Sequence, residues 1–96
     1  MKGYSRMEIN GKTCWYAELS TPRTILLLVR GEKGLLGCGY LNMKAAVSIG
    51  EALAIIRGVQ SIEEMLNAQV SSVSPAAASL GVSPGMTGRE AMRILA

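Results

Sequence analysis

Asn10-Gly11 stands between two runs of strand-forming residues. This dipeptide is the strongest short-range hairpin signal, because both positions tolerate the positive φ that a two-residue loop requires. Residues 4–10 and 12–19 therefore read as paired antiparallel strands. The second alternates and carries the β-formers Thr13, Trp15 and Tyr16. Ser20-Thr21-Pro22-Arg23 reads as a loop. Residues 24–30 form a continuous apolar run with β-branched ends, the pattern of a strand covered on both faces. Gly31-Glu32-Lys33-Gly34 is a turn, and residues 35–40 return as a fourth strand. An antiparallel meander is the simplest way to connect the four.

The second half of the chain carries helix punctuation instead. Asn42 is an acceptable N-cap for a short helix over 43–49, with Gly50 as its stop. Residues 52–57 fit a helix or a buried strand by periodicity; their length and the flanking Gly50 and Gly58 favour a strand, which joins the same sheet. Ser61-Ile62-Glu63-Glu64 is a capping box opening a helix to about residue 67. Residues 70–73 read as a short extended segment. Ser74-Pro75 is an N-cap followed by proline at the first helical position, where no N–H is needed; that helix ends at Gly81. Thr87-Gly88-Arg89-Glu90 is a second capping box, for a last helix through Leu95. The expected fold is α+β: one domain over residues 1–96, strands over 1–41, then short helices and one strand over 42–96. The helices are expected on one face of a sheet that is antiparallel at its start and can be mixed further on.

Residue usage excludes much chemistry. The 96 residues include no histidine, and all seven acids are glutamates. Ser-His-Asp and Cys-His catalysis are excluded, even across a homo-oligomer. Zinc sites built on histidine are excluded as well, and two cysteines are too few for four thiolates in one chain. No metal or cofactor is expected. Apolar residues make up 49% of the chain and charged residues only 18%, a thin polar cover for the roughly 5,000 Å² such a chain exposes as a monomer. Homo-oligomerisation follows as the expectation, with strand residues between Tyr4 and Val29 carrying much of the contact. The ten basic residues are dispersed among the glutamates, so no nucleic-acid partner is expected. No apolar run approaches the roughly 20 residues that span a bilayer, and no signal-peptide core is visible. The expected setting is the cytoplasm, without a membrane partner, where Cys14 and Cys38 remain thiols.

Two local patterns bear on ligand chemistry. Cys38 lies between Gly37 and Gly39 at a strand end, just before the helix capped by Asn42. Glycines let backbone N–H groups approach a ligand, and a helix N-terminus favours a thiolate. A thiol-based enzyme site centred on Cys38, or a small-anion site, is one reading; a buried cysteine packed as a small hydrophobe is the favoured one. Cys14, inside a strand pattern, is assigned to packing. Thr87, Gly88 and Arg89 offer a hydroxyl, free N–H groups and a guanidinium to an anion. Glu90 competes there, and the capping box explains the same residues without a ligand.

Gly37-Cys38-Gly39-Tyr40-Leu41-Asn42, then Gly58-Val59 before the segment ending Met65-Leu66-Asn67-Ala68, then the run from Leu80-Gly81-Val82-Ser83-Pro84-Gly85 to Met86-Thr87-Gly88-Arg89-Glu90-Ala91, resemble in order and spacing the YunC-like proteins, a bacterial and archaeal family of unknown function. The likeness covers roughly residues 9–95. It departs at residues 43–50, where bacterial members carry a longer helix. The resemblance implies a small α+β fold, an N-terminal β region that mediates oligomerisation, and a tetramer. It implies no activity. The function expected is that of a self-assembling structural or interaction domain, with the Cys38-centred site as the alternative.

Overall fold

The computed structural model describes residues 4–96. Its described residues form one six-stranded sheet and four short helices. Strands β1 (Ser5–Ile9), β2 (Lys12–Ser20), β3 (Ile25–Arg30) and β4 (Leu35–Gly37) make the antiparallel meander. Helix α1 (Met43–Ile49) then crosses to β5 (Leu53–Ile55), which lies parallel to β4. After α2 (Ile62–Asn67), strand β6 (Ser72–Val73) pairs antiparallel with β5. Helices α3 (Pro75–Leu80) and α4 (Gly88–Leu95) complete the chain. The strands lie in chain order from β1 to β6. The sheet is therefore mixed, within the α+β fold expected.

Local signals act where the residue types place them. Asn10 and Gly11 take φ of 55° and 78°, closing the hairpin in the left-handed conformations that asparagine and glycine tolerate. Asn42, Ser61, Ser74 and Thr87 each cap a helix through the side chain. The box at Thr87 is complete, with Glu90 accepting from the Thr87 N–H at 2.8 Å. The box at Ser61 is shifted by one residue. Ser61 accepts from the Glu64 N–H, but the Glu64 carboxylate takes the N–H of Gln60. The next free donor, the N–H of Ile62, goes to Glu18 at 3.0 Å. A carboxylate 44 residues away thus completes a helix start that the local box leaves open.

The fourth strand ends at Gly37, short of the expected residue 40. The Cys38 N–H still reaches the Leu27 carbonyl at 3.1 Å, but the Cys38 carbonyl then takes the Leu41 N–H in a turn. That turn directs the chain into α1.

Strand alternation sorts the core into two clusters. Leu27, Val29, Leu36, Ala54 and Ile56 point to the face where α2, α3 and α4 pack through residues such as Met65, Ala77, Met92 and Leu95. Helices α2 and α4 approach so closely that a Cβ on Gly88 would lie 2.3 Å from the Met65 carbonyl oxygen. Leu53 and Ile55 point to the opposite face, where α1 covers them with Ala46. Three helices therefore share one face, and α1 occupies the other. A parallel β4–β5 pair needs a crossover, and its connecting helix has to lie over a sheet face. The face opposite the three helices is open over β4 and β5, and α1 takes it.

Candidate functional site

The backbone around Cys38 is shaped by packing on both sides. A Cβ on Gly37 would stand 2.2 Å from Leu41 Cδ1, and one on Gly39 would stand 3.0 Å from Arg57 Nη1. The glycines make room for a leucine and a guanidinium. Cys38 itself is only 6% exposed, and its sulfur accepts from the Leu27 N–H at 3.4 Å. The thiol fills a gap in the β3–β4 ladder. Asn42 Oδ1 accepts from the Lys44 and Ala45 N–H groups, so that oxygen is engaged in capping.

The start of α4 is similarly engaged. Glu90 Oε1 holds the Thr87 N–H and lies 3.3 Å from its hydroxyl; the Thr87 hydroxyl oxygen accepts from the Glu90 N–H. The Gly88 N–H donates to the Ala68 carbonyl at 2.9 Å. Arg89 is exposed. An anion here would have to displace a carboxylate. Cys14 is fully buried, and that burial pushes its thiol pKa up, the opposite of activation. No group of three or more cysteine or glutamate side chains suited to a metal occurs among the described residues.

A separate, mostly apolar surface feature lies on the α1 side of the sheet. There α1 covers β4 and β5, and among the described residues no helix covers β1, β2 and β3. Register places Arg6, Trp15, Arg30 and Leu35 in one row across this face, with Ala17 opposite Leu28 and Leu19 opposite Leu26 in the rows beside it. Trp15, Ala17, Leu26 and Leu28 are half-buried, and Leu19 is 49% exposed. The Arg30 guanidinium lies 5.1 Å from the centre of the Trp15 ring, a cation–π contact that lays the charge along the surface. A hollow of about 450 Å³ opens here, lined by Tyr4, Trp15, Tyr16, Ala17, Leu28 and Arg30. A second, also about 450 Å³, runs between the strands and α1; it shares Leu28 and Arg30 and adds Asn42, Ala45, Ile49 and Glu51. Ile49, on this wall of α1, is 74% exposed. Of the ligand-site candidates Gly37, Cys38, Gly39, Asn42, Thr87, Gly88 and Arg89, only Asn42 lines either hollow, whereas Tyr4, Trp15, Tyr16, Ala17 and Leu28 belong to the strand region expected to carry assembly.

The apolar run over residues 24–30 reads as a strand covered on both faces, yet only Leu27 and Val29 are buried; Ile25, Leu26 and Leu28 are half-buried. Within one chain the outer cover is missing. The absence of alternation in this run was the sequence signal for a strand covered twice, although it does not say by what.

Comparison with known proteins adds three findings. A family model described as a domain of unknown function, DUF1805, matches residues 37–95. The chain is 30% identical over 92 residues to the uncharacterized protein YunC of Bacillus subtilis (strain 168), covering 88% of this chain and 87% of that one. It superposes with a TM-score of 0.93 and 31% identity on the crystal structure of a protein of unknown function, TA1206, from Thermoplasma acidophilum, covering 97% of this chain and 91% of that one.

Proposed function

The chain belongs to the DUF1805 family of domains of unknown function, and from that premise we propose that it is a self-assembling interaction module whose bare sheet face packs on a second copy of itself. One observation carries this reading: the apolar surface of Trp15, Ala17, Leu19 and Leu28 over β2 and β3, on a face where no helix covers them among the described residues. A sheet buries its apolar face against another layer, and two such faces pack about 10 Å apart. A second copy supplies the cover that the apolar run in β3 calls for. The tetramer implied by the family resemblance is the preferred assembly. A cytoplasmic setting belongs to the same proposal and is supported by two buried, free thiols; no helix among the described residues is long and apolar enough to cross a membrane. The geometry around Cys38 does not favour the thiol-enzyme reading, because the sulfur faces the Leu27 N–H inside the sheet.

Sedimentation equilibrium tests the proposal. The wild type is expected as a multimer and Leu28→Glu as a smaller species. Trp15 is the sole tryptophan, so its emission should shift to longer wavelength as the multimer is diluted. A wild-type monomer at about 100 μM, where a contact worth about 5.5 kcal/mol is already half-formed, refutes self-assembly.

A further inference from the structure

Among the described residues the outer edge of β1 is the long free edge of this sheet, since the opposite edge, β6, is only two residues. Edge strands are usually blunted by proline, a bulge, shortness or charge. The five-residue β1 has no proline and an unbroken register with β2. Its defence is charge alone, and that charge has both signs: exposed Arg6 and exposed Glu8.

The hydrogen-bond phase of the sheet fixes what this edge offers. The Cys38 N–H donates to the Leu27 carbonyl, and the Gly31 N–H donates to the Gly34 carbonyl. Residues 27, 29 and 31 therefore bond toward β4, and Leu26, Leu28 and Arg30 bond toward β2. Their partners are Leu19, Ala17 and Trp15. Alternation then turns Lys12, Cys14 and Tyr16 toward β1, where they pair with Ile9, Met7 and Ser5. Arg6 and Glu8 are left with N–H and carbonyl groups pointing outward. Ile9↔Lys12 as a bonded pair is also what a two-residue hairpin loop demands.

We infer that β1 pairs antiparallel with β1 of a second copy about a two-fold axis at Met7, with Arg6 opposite the partner's Glu8. This deepens the self-assembly reading and rests on it. In this register Arg6 and Glu8 each form a hydrogen-bonded pair with the partner strand, using the outward backbone groups. The same alignment sets opposite charges across from each other twice. Sliding by two residues either way keeps the backbone bonds but puts Arg6 opposite the partner's Arg6, or Glu8 opposite the partner's Glu8. A slip that breaks parity loses the symmetric bonded pairs. Backbone phase and side-chain charge thus select one register.

This pairing also enlarges the face used for assembly. Three strands are roughly 14 Å across and 17–20 Å long, or about 250–300 Å² in plan, far below the roughly 800 Å² per partner of a standard interface. A two-fold normal to the sheet keeps both bare faces on one side, doubling the plan area, and side-chain relief adds accessible surface beyond it. Two such pairs stacked face to face make a tetramer.

Charge reversal tests the register by sedimentation velocity on the full chain. Arg6→Glu sets glutamates across from each other, and Glu8→Arg sets arginines across from each other. Each should weaken edge pairing by about tenfold or more and leave dimers held by the bare face. The double variant Arg6→Glu/Glu8→Arg should restore the wild-type assembly. So should an equimolar mixture of the two single variants, which can pair only with each other. Leu28→Glu should leave edge-paired dimers instead, and Arg6→Glu/Leu28→Glu should give monomers. If Leu28→Glu shrinks the assembly while Arg6→Glu does not, or the double reversal fails to restore it, the edge register is overturned and the face reading stands. A monomeric wild type overturns both.

Discussion

Replacing Ser74 with alanine should cost far more than removing any other helix cap of this chain. Ser74 is 1% exposed. Its hydroxyl donates to the Glu51 carbonyl at 2.7 Å and accepts from the Leu53 N–H at 2.9 Å and the Ala77 N–H at 3.3 Å. One oxygen therefore caps α3 and satisfies the N–H at the start of β5. Loss of the cap costs about 1 kcal/mol. The Leu53 N–H is buried and would lose its acceptor, at about 1–3 kcal/mol more. The Glu51 carbonyl is better placed to find water and adds little. The sum is about 2–4 kcal/mol, or a Tm drop of roughly 8–30 °C for a domain of this size. Ser61→Ala is the internal control, because its hydroxyl accepts only from the exposed Glu64 N–H and its removal should cost about 1 kcal/mol. Urea unfolding of both variants at one fixed protein concentration gives the comparison, since association shifts apparent stability. If Ser74→Ala destabilises no more than Ser61→Ala, the triple role assigned to the hydroxyl is refuted.

Alkylation of the native protein should be slow at both cysteines, since Cys14 and Cys38 are 0% and 6% exposed. Comparing Cys14→Ser with Cys38→Ser by mass spectrometry, rates should rise with urea; fast native-state labelling of Cys38 would contradict its packing role. Burial raises the Cys14 pKa above its ordinary 9.0. The unfolded thiol then loses its proton first as pH rises, so stability is full below the unfolded pKa and falls above it, by up to about 1.4 kcal/mol per pH unit until the folded thiol also ionises. Unfolding curves between pH 8 and 10 should decline less steeply for Cys14→Ala; equal slopes would remove this account.

Much of the fold is legible in local residue chemistry. The Asn10-Gly11 hairpin and the caps at Asn42, Ser61, Ser74 and Thr87 rest on interactions within a few residues, and the strand at 53–55 shows in sequence as a short apolar run between glycines, although its hydrogen bonds go to β4, β6 and Ser74. The candidate site was legible only as a region. Sequence pointed to the N-terminal strands as the proposed assembly surface, because the apolar run in β3 leaves no polar face. It singled out Cys38 and the Thr87 segment because glycines and hydroxyls beside a helix start read alike whether they serve a ligand or a close contact. Packing separates those cases: Leu41 and Arg57 occupy the space above Gly37 and Gly39, and Met65 that above Gly88.

The amino-acid sequence by itself determined the order and type of the main elements, the turns and caps that punctuate them, and which catalytic chemistries lack their residues, and its apolar composition raised the expectation of a cover from outside the chain. These follow from backbone preference, side-chain identity and composition, each a property of residues or short windows. Only the tertiary structure decided that α1 lies on the opposite face from the other helices, that Glu18 completes the start of α2, and that Arg6 and Glu8 turn their backbone groups to a free edge. These depend on which strands become neighbours and in what phase they bond, and that is settled by contacts between residues far apart in the chain.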